Sequence, residues 1–354
     1  MATTEFPASF PFSATSTASL LAHGVQQLQT GQFADARQTF QASLQSDASN
    51  AVAWNCLGIV CRAQGQLGEA VACFQRALTL HPGFSPALSN LGNACRDAGN
   101  FEAAEQAYRA ALEGDPSCIE ACNNLGTLML VTHRLAESIT WFQRAVQLRP
   151  NYAEAYCNLG NAYRAAGQLR AAESSYTAAL QFAPDSAEVH NNLGSLMRDE
   201  HDLFAAQAHF QEAVRLNSQF ADAWCNLAVV QSMNHAYDQA AGSYQAAIQL
   251  RPQHVPTHLK LGAVLEMEGR YEAAAAAYER AMAIEPQNPL HALRLTSICP
   301  VVFAGRDAIE AFRQVAIDTW RGLRHAAFPA GAAATLVPPP FNMQFVDGNL
   351  RALR

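Results

Sequence analysis

The sequence predicts an all-α fold: a right-handed superhelix (an α-solenoid) of about eight helix-turn-helix repeats with a helical C-terminal cap. The first observation is a set of apolar and small residues that recurs every 34 residues along most of the chain. The second is that each period contains two segments with the apolar spacing of an amphipathic helix. A unit of this kind cannot bury its apolar face alone, so neighbouring copies are expected to stack.

The second repeat illustrates the pattern, with positions counted from 1 at Ala51. Positions 4, 7, 8, 20, 24, 27 and 32 hold Trp54, Leu57, Gly58, Ala70, Phe74, Ala77 and Pro82. In the first helix of each repeat, helix A, positions 4, 7, 8 and 11 share one face at about 100° per residue, and that face is predicted to be the core. The first repeat carries polar His23 and Gln27 instead, as expected of a terminal repeat without a neighbour on one side.

Glycine is predicted to set both the turn and the closest contact of each repeat. In the fifth repeat, helix A is expected from about Ala153 to Ala166, with Gly167 as a left-handed C-cap, and the second helix, helix B, ends before Pro184. The turn position holds glycine or histidine elsewhere: Gly31, Gly65, Gly99, Gly269, His133, His201 and His235. Glycine at position 8 should let the two helices approach closely. The position-20 alanine should do the same on helix B. Ala228 is the exception to glycine at position 8, and Ser138 is the exception to alanine at position 20.

The predicted organisation has four parts. Residues 1–16 are expected to be a flexible tail, and residues 289–327 to form capping helices, in which Ile309, Phe312, Val315 and Trp320 have helical spacing. Residues 328–354 are a Pro- and Ala-rich junction, compatible with the start of a further domain. Between the tail and the cap lie eight repeats, at 17–50, 51–84, 85–118, 119–152, 153–186, 187–220, 221–254 and 255–288.

From Leu20 to Asn288 the chain resembles the tetratricopeptide repeat family, whose pattern is W-x-x-L-G-x-x-Y followed by A-x-x-x-F and a closing Pro. Positions 2, 5, 6, 9, 12 and 13 share the helix A face opposite the core. The resemblance implies that this face lines a concave groove. The chain is therefore predicted to be a protein–protein interaction scaffold that binds an extended peptide or protein segment in that groove.

Asparagine recurs on this face at position 6 in five consecutive repeats. With two asparagines at position 9 and four arginines at position 12, the candidate groove residues are Asn90, Asn124, Asn158, Asn192, Asn226, Asn93, Asn161, Arg62, Arg96, Arg164 and Arg198. An amide both donates and accepts, so a series of amides can pair with a peptide backbone whatever its side chains. The guanidinium group of arginine can donate two parallel hydrogen bonds to a carboxylate or a phosphate. The alternative is that the asparagines descend from duplication of one repeat and only bond the neighbouring helix.

Composition argues against several other functions. A net charge of −7 disfavours nucleic acid and anionic membranes as partners. No apolar run approaches the ~20 residues that cross a bilayer, and the N-terminal segment, interrupted by Pro7 and Pro11 and without a basic residue, does not look like a secretory signal. Nine cysteines without a paired framework favour a reducing cytoplasm.

The sequence contains no motif arranged for catalysis. It has no phosphate-binding glycine loop, no G-x-S-x-G and no H-E-x-x-H, so no catalytic residue and no cofactor are predicted. Cys118 and Cys122 have no second pair at zinc-site spacing, and His258, although four residues from His254, should point into the core. No metal site is predicted.

A narrower resemblance is to O-linked N-acetylglucosamine transferases. It rests on the position-6 asparagines, on Ile298-Cys299-Pro300, and on Pro339-Pro340-Phe341-Asn342-Met343-Gln344-Phe345, which resembles the junction segment of bacterial proteins of that type. The resemblance implies a repeat region that feeds protein substrates to a glycosyltransferase region beyond the junction. Because this chain ends at Arg354, two interpretations stay open: a scaffold with a relict junction, or the substrate-recruiting part of a longer enzyme.

A third class, a chaperone adaptor with a carboxylate clamp, is disfavoured. Such a clamp needs Lys or Arg on the groove face beside its asparagines. Position 2 is instead acidic or neutral, with Pro86, Glu120, Glu154, Glu188 and Asp222. The sequence identifies neither the partner nor any self-association.

Overall fold

The computed structural model describes residues 17–288, together with Glu310, Gln314 and Asp318. The predicted N-terminal tail, junction and, apart from those three residues, the capping helices lie outside the described part. Residues 17–288 form sixteen helices: α1 (Thr17–Gln29), α2 (Phe33–Ser46), α3 (Ala51–Ala63), α4 (Leu67–Leu80), α5 (Ser85–Asp97), α6 (Phe101–Gly114), α7 (Ile119–Val131), α8 (Leu135–Leu148), α9 (Ala153–Ala165), α10 (Leu169–Phe182), α11 (Ala187–Asp199), α12 (Leu203–Leu216), α13 (Ala221–Met233), α14 (Tyr237–Leu250), α15 (Val255–Met267) and α16 (Tyr271–Ile284). Odd-numbered helices are the predicted A helices, and even-numbered helices are the B helices.

The turn between helix A and helix B is a left-handed C-cap. Gly167 has φ +73°. Its N–H donates to the Arg164 carbonyl at 3.0 Å, and the Gln168 N–H donates to the Tyr163 carbonyl at 2.9 Å, which is the Schellman pattern. The three histidines predicted at this position adopt the same conformation, with φ between 59° and 65°. The turn prediction is confirmed in both its glycine and its histidine forms.

The chain divides into two compact units, Met1–Ala183 and Pro184–Arg354. Within each unit, every helix A packs on the helix B that follows it, and that helix B packs on the next helix A. Successive A helices also contact one another, from α1 to α9 in the first unit and from α11 to α13 in the second. This stacking of helix pairs confirms the all-α solenoid fold class.

The core of each repeat contains the aromatic ring of position 24, which lies on a glycine at position 8 in every repeat except the seventh, where position 8 is Ala228. The position-24 ring is Phe or Tyr in every repeat, and it is buried: Phe40, Phe74, Tyr108, Phe142, Tyr176, Phe210, Tyr244 and Tyr278. A Cβ atom built on Gly160 would lie 2.5 Å from Cε1 of Tyr176. Close approach at position 8 is therefore confirmed, and the contact is between a glycine and a ring.

Two serines replace the usual core alanines, with different consequences. Ser138 is fully buried, and its hydroxyl donates to the Gly126 carbonyl at 2.8 Å. Ser43, at position 27 of the first repeat, is also fully buried, but its hydroxyl has no hydrogen-bond partner. Gly24 is the one buried residue of α1, which agrees with the predicted polarity of the first repeat.

Candidate functional site

The helix A surface opposite the core is narrower than the helical periodicity predicts. From the second repeat to the eighth, positions 2 and 13 are exposed, and the candidate residues at positions 6, 9 and 12 are half-buried. The prediction that position 5 shares this surface is wrong, since Asn55 and Asn123 are only 7% and 3% exposed. Position 5 packs between neighbouring A helices. The A face is defined here as positions 2, 6, 9, 12 and 13 of the A helices.

Three of the position-6 asparagines form a hydrogen bond with the buried position-5 asparagine of the preceding repeat. The amide nitrogen of Asn90 donates to Oδ1 of Asn55 at 3.0 Å. Asn158 donates to Asn123 at 3.1 Å, and Asn226 donates to Asn191 at 2.9 Å. These bonds use one amide hydrogen and orient the side chain, so the Oδ1 atoms of Asn90, Asn158 and Asn226 remain available at the A face.

The core tyrosines orient the position-9 asparagines the other way round, with the amide oxygen toward the core and the NH₂ group outward. The hydroxyl of Tyr108 donates to Oδ1 of Asn93 at 2.7 Å, and Tyr176 donates to Asn161 at the same distance. Burial raises the pKa of Tyr108 to about 12, which keeps its hydroxyl protonated as the donor. The NH₂ group of each position-9 asparagine therefore remains as a donor at the A face.

The third and fifth repeats consequently present an acceptor and a donor one helical turn apart. The fourth and sixth repeats lack such a pair. Asn at position 5 recurs in the second, fourth and sixth repeats, and Tyr at position 24 occurs together with Asn at position 9 in the third and fifth. The chain thus has a second period of 68 residues, which is two of the 34-residue repeats. Sequence reasoning missed it, although the alternation of Phe with Tyr at position 24 carries the signal.

Asn124 and Asn192, in the intervening repeats, are half-buried on the A face. In the repeat before that of Asn124, position 5 is Ser89 instead of asparagine. No group within the described residues forms a hydrogen bond with the Asn124 amide. Asn124 is therefore the position-6 asparagine that contributes to the A face without an evident structural bond.

The arginines of the A face are largely paired with aspartates. Arg62 Nε lies 2.6 Å from Oδ2 of Asp97, which Arg96 also contacts at 3.3 Å. Arg198 lies 3.5 Å from Asp199, and Arg164 is half-buried. These side chains are 23–36% exposed where paired, so each contact is worth at most about 1 kcal/mol. A partner carboxylate would have to compete with the aspartates.

Apolar side chains replace the polar ones on part of the A face. In the second unit, Met233 and Met267 at position 13 are 44% and 70% exposed. Val229 at position 9 is half-buried and packs against the core of the last two repeats. Val131 is the corresponding exposed residue of the first unit, at 51%. The A face therefore changes from amide-rich to apolar along α11–α15.

The described residues contain no cluster of three or more metal-ligating side chains. His258 is 5% exposed, and its Nε2 forms a hydrogen bond with the Pro252 carbonyl at 2.9 Å, so it is a core histidine as predicted. Among the helices of residues 17–288, none is long and apolar enough to cross a membrane. The cysteines in this part are free thiols, and burial raises the pKa of Cys56 and Cys122 to about 11.

Stacked helix pairs joined by left-handed turns, with an aromatic ring against a small residue in each pair, define an α-solenoid repeat protein. Family models for the tetratricopeptide repeat match residues 49–117, 134–167, 153–186, 198–255 and 232–289. The chain belongs to the tetratricopeptide repeat family. Proteins of this family serve as protein-interaction scaffolds, and that is the general function it assigns to this chain. A comparison with curated protein sequences gives no match.

Solved structures are similar in fold at low sequence identity. The APC/C hetero-tetramer Cut9–Hcn1 matches 85% of this chain with a TM-score of 0.59 at 16% identity, and the match covers 56% of that chain. A tetratricopeptide repeat protein from Parabacteroides merdae matches 70% of this chain and 98% of its own, with a TM-score of 0.57 at 16% identity. PilF of Pseudomonas aeruginosa matches 58% and 93%, with a TM-score of 0.52 at 20% identity. This chain therefore spans little more than half of the Cut9–Hcn1 chain.

Proposed function

We propose that the A face binds an extended peptide or protein segment through its asparagine side chains. The observation that carries this proposal is the oriented pair in the third and fifth repeats, such as Asn158 and Asn161. In each pair, one amide is held with its oxygen outward and the other with its NH₂ outward. Structural bonds to Asn123 and Tyr176 use the remaining amide atoms, so the outward atoms are left for a ligand.

The chemistry of this pair fits a peptide backbone. Residues three apart on a helix are displaced by about 4.5 Å along its axis. An extended chain offers both N–H donors and C=O acceptors along one edge, so it can satisfy an outward acceptor and an outward donor together. Because the side chains are already held in place, binding costs less conformational entropy than ordering free amides would.

Side-chain selectivity would come from the flanking positions. In the second unit, the exposed methionines at position 13 provide an adaptable apolar surface. Arg62 and Arg96 share one aspartate, Asp97, so the two arginines of the second and third repeats are only partly neutralised and can still donate hydrogen bonds to polar side chains. We therefore propose a partner segment that is extended and carries polar side chains at the amide-rich repeats.

The clean test is Asn124→Ala, since it removes an amide from the A face without breaking a described hydrogen bond. An unstructured peptide selected from a displayed random library serves as the probe. We expect its affinity to fall by a factor that corresponds to about 0.5–1.5 kcal/mol, with unchanged thermal stability. Gln106→Ala, which removes an exposed amide from α6, is the matched control. Equal affinities for the Asn124→Ala and Gln106→Ala variants would contradict the proposal.

A second proposal is that the chain recruits protein substrates for a glycosyltransferase region. The position-6 asparagine series favours it, while the junction residues that resemble that family lie outside the described part. Nothing in residues 17–288 is arranged to bind a nucleotide diphosphate, so the 354-residue chain is expected to show no saturable UDP binding by calorimetry. Continuation of the reading frame past Arg354 into an α/β region would support the proposal. UDP binding by the 354-residue chain itself would mean that an unrecognised site exists.

We also propose a reducing compartment such as the cytoplasm. The free, largely buried thiols support this, since raised thiol pKa values keep them protonated and unreactive at neutral pH. Retention of eight titratable thiols in residues 17–288 after purification from an intact cell would agree with it.

A further inference from the structure

Two histidines of the sixth repeat meet away from the A face. His190 lies at position 4 of α11, and His209 lies on α12. Their Nδ1 atoms are 3.2 Å apart and their ring centroids 5.5 Å apart. Both residues are half-buried, so packing of helix A on helix B holds the two rings together. Neither the fold nor the proposed peptide binding requires a pair of histidines here, since position 4 holds Leu, Trp, Cys or Tyr in six of the other repeats and His258 in the eighth.

The two converging Nδ1 nitrogens can act together as ligands of one metal ion. Neutral imidazole is a preferred ligand of Zn²⁺, Ni²⁺ and Cu²⁺. Two imidazoles that bind a tetrahedral zinc at about 2.0–2.1 Å have nitrogens about 3.3–3.4 Å apart. The observed separation is within a small ring rotation of that value.

We propose that His190 and His209 form a two-histidine site for a first-row divalent cation, represented by Zn²⁺. The ion binds both Nδ1 atoms, and the hydrogen now shared between them moves to Nε2 of the ring that carries it, so both rings stay neutral. The described residues hold no cluster of three ligating side chains, so water completes the coordination. Arg215 pairs with Glu212 at 2.6 Å, which offsets the positive charge of Arg215 in this region.

An ion in this site would join helix A to helix B of one repeat. It binds the folded pair, whose nitrogens converge, and the unfolded chain has no such arrangement. Zinc should therefore raise the stability of the repeat by mass action. The open coordination positions would also accept a histidine or carboxylate from another molecule.

The test is calorimetry of the full-length, tag-free chain with ZnCl₂ after treatment with a chelator. We expect one saturable site, and a loss of affinity of at least about tenfold in the His209→Gln variant. His133→Gln, which removes an exposed histidine from another repeat, should leave the affinity unchanged. Absence of saturable zinc binding would overturn the proposal. Equal losses of affinity in both variants would also overturn it and would indicate that surface histidines bind the zinc.

A second measurement covers the case in which the His209→Gln variant does not fold. Ring-nitrogen NMR of the unsubstituted chain should show zinc-dependent shifts of Nδ1 in His190 and His209 together. Co²⁺ in place of Zn²⁺ should give the visible absorption of a low-coordinate nitrogen site. Zinc-dependent shifts confined to other histidines would refute the assignment.

Discussion

Replacing Gly160 by alanine tests the ring-on-glycine contact found in the core of every repeat except the seventh. The added Cβ would lie 2.5, 2.6 and 2.9 Å from three ring atoms of Tyr176, which is fully buried. Overpacking of this kind costs about 1–3 kcal/mol. If the ring moves, its 2.7 Å bond to Asn161 is weakened as well, at about 0.5–1.5 kcal/mol.

The matched control is Gly242→Ala. Gly242 is exposed within α14, and an added Cβ there would meet no atom within 4 Å. Both substitutions gain helix propensity of about 1 kcal/mol, so Gly242→Ala should stabilise by that amount. The difference between the two variants then isolates the clash and the weakened bond, at about 1.5–4.5 kcal/mol.

Repeat 7 shows how the contact adapts to alanine. Ala228 occupies position 8 there, opposite Tyr244, and both residues are buried. Position 9 is Val229, which cannot bond the tyrosine hydroxyl, and no described group does so. Alanine thus occurs in a repeat where ring position is not also required to orient an A-face asparagine.

Urea denaturation of both variants measures the difference, and hydrogen exchange locates it. Since repeats support their neighbours, loss of protection after Gly160→Ala should extend into the adjoining helices of the first unit. A Gly160→Ala variant as stable as the Gly242→Ala variant would refute the reasoning, because it would mean that the ring can move without cost.

Four further substitutions are expected to change the stability, two by raising it and two by lowering it. Ser43→Ala should raise the unfolding free energy by about 1 kcal/mol, seen as a higher melting temperature, because it removes a buried hydroxyl without a partner. His133→Gly should raise the free energy of unfolding, measured in urea, by about 0.5–1 kcal/mol, because relief of the left-handed backbone strain exceeds the entropy that glycine adds to the unfolded chain. Gly167→His should lower the free energy of unfolding for the converse reason. Asn158→Ala should cost about 1–3 kcal/mol of stability by leaving Asn123 without its donor, unlike Asn124→Ala; equal stabilities of these two variants would show that the bond contributes nothing.

The helices, their turns and the ring-on-glycine core were predictable because each depends on residues within one repeat. The histidine turns followed from their shared position with glycine, and the structure gives them the same positive φ. The burial of position 5 was not predictable from the helical wheel. That wheel assigns a direction to Asn123 but does not say how close the next helix A lies. The orientation of Asn158 and Asn161 likewise depends on partners in another repeat or another helix.

The pairing of position 6 with the preceding position 5 makes two repeats, rather than one, the interchangeable module of this array. Excision of 34 residues, from 119 to 152, would place Asn158 against Ser89 and remove its acceptor. Excision of 68 residues, from 85 to 152, would place Asn158 against Asn55, the same arrangement that Asn90 has now. Shortening, lengthening or grafting this array while keeping its amides in register should therefore proceed in steps of two repeats.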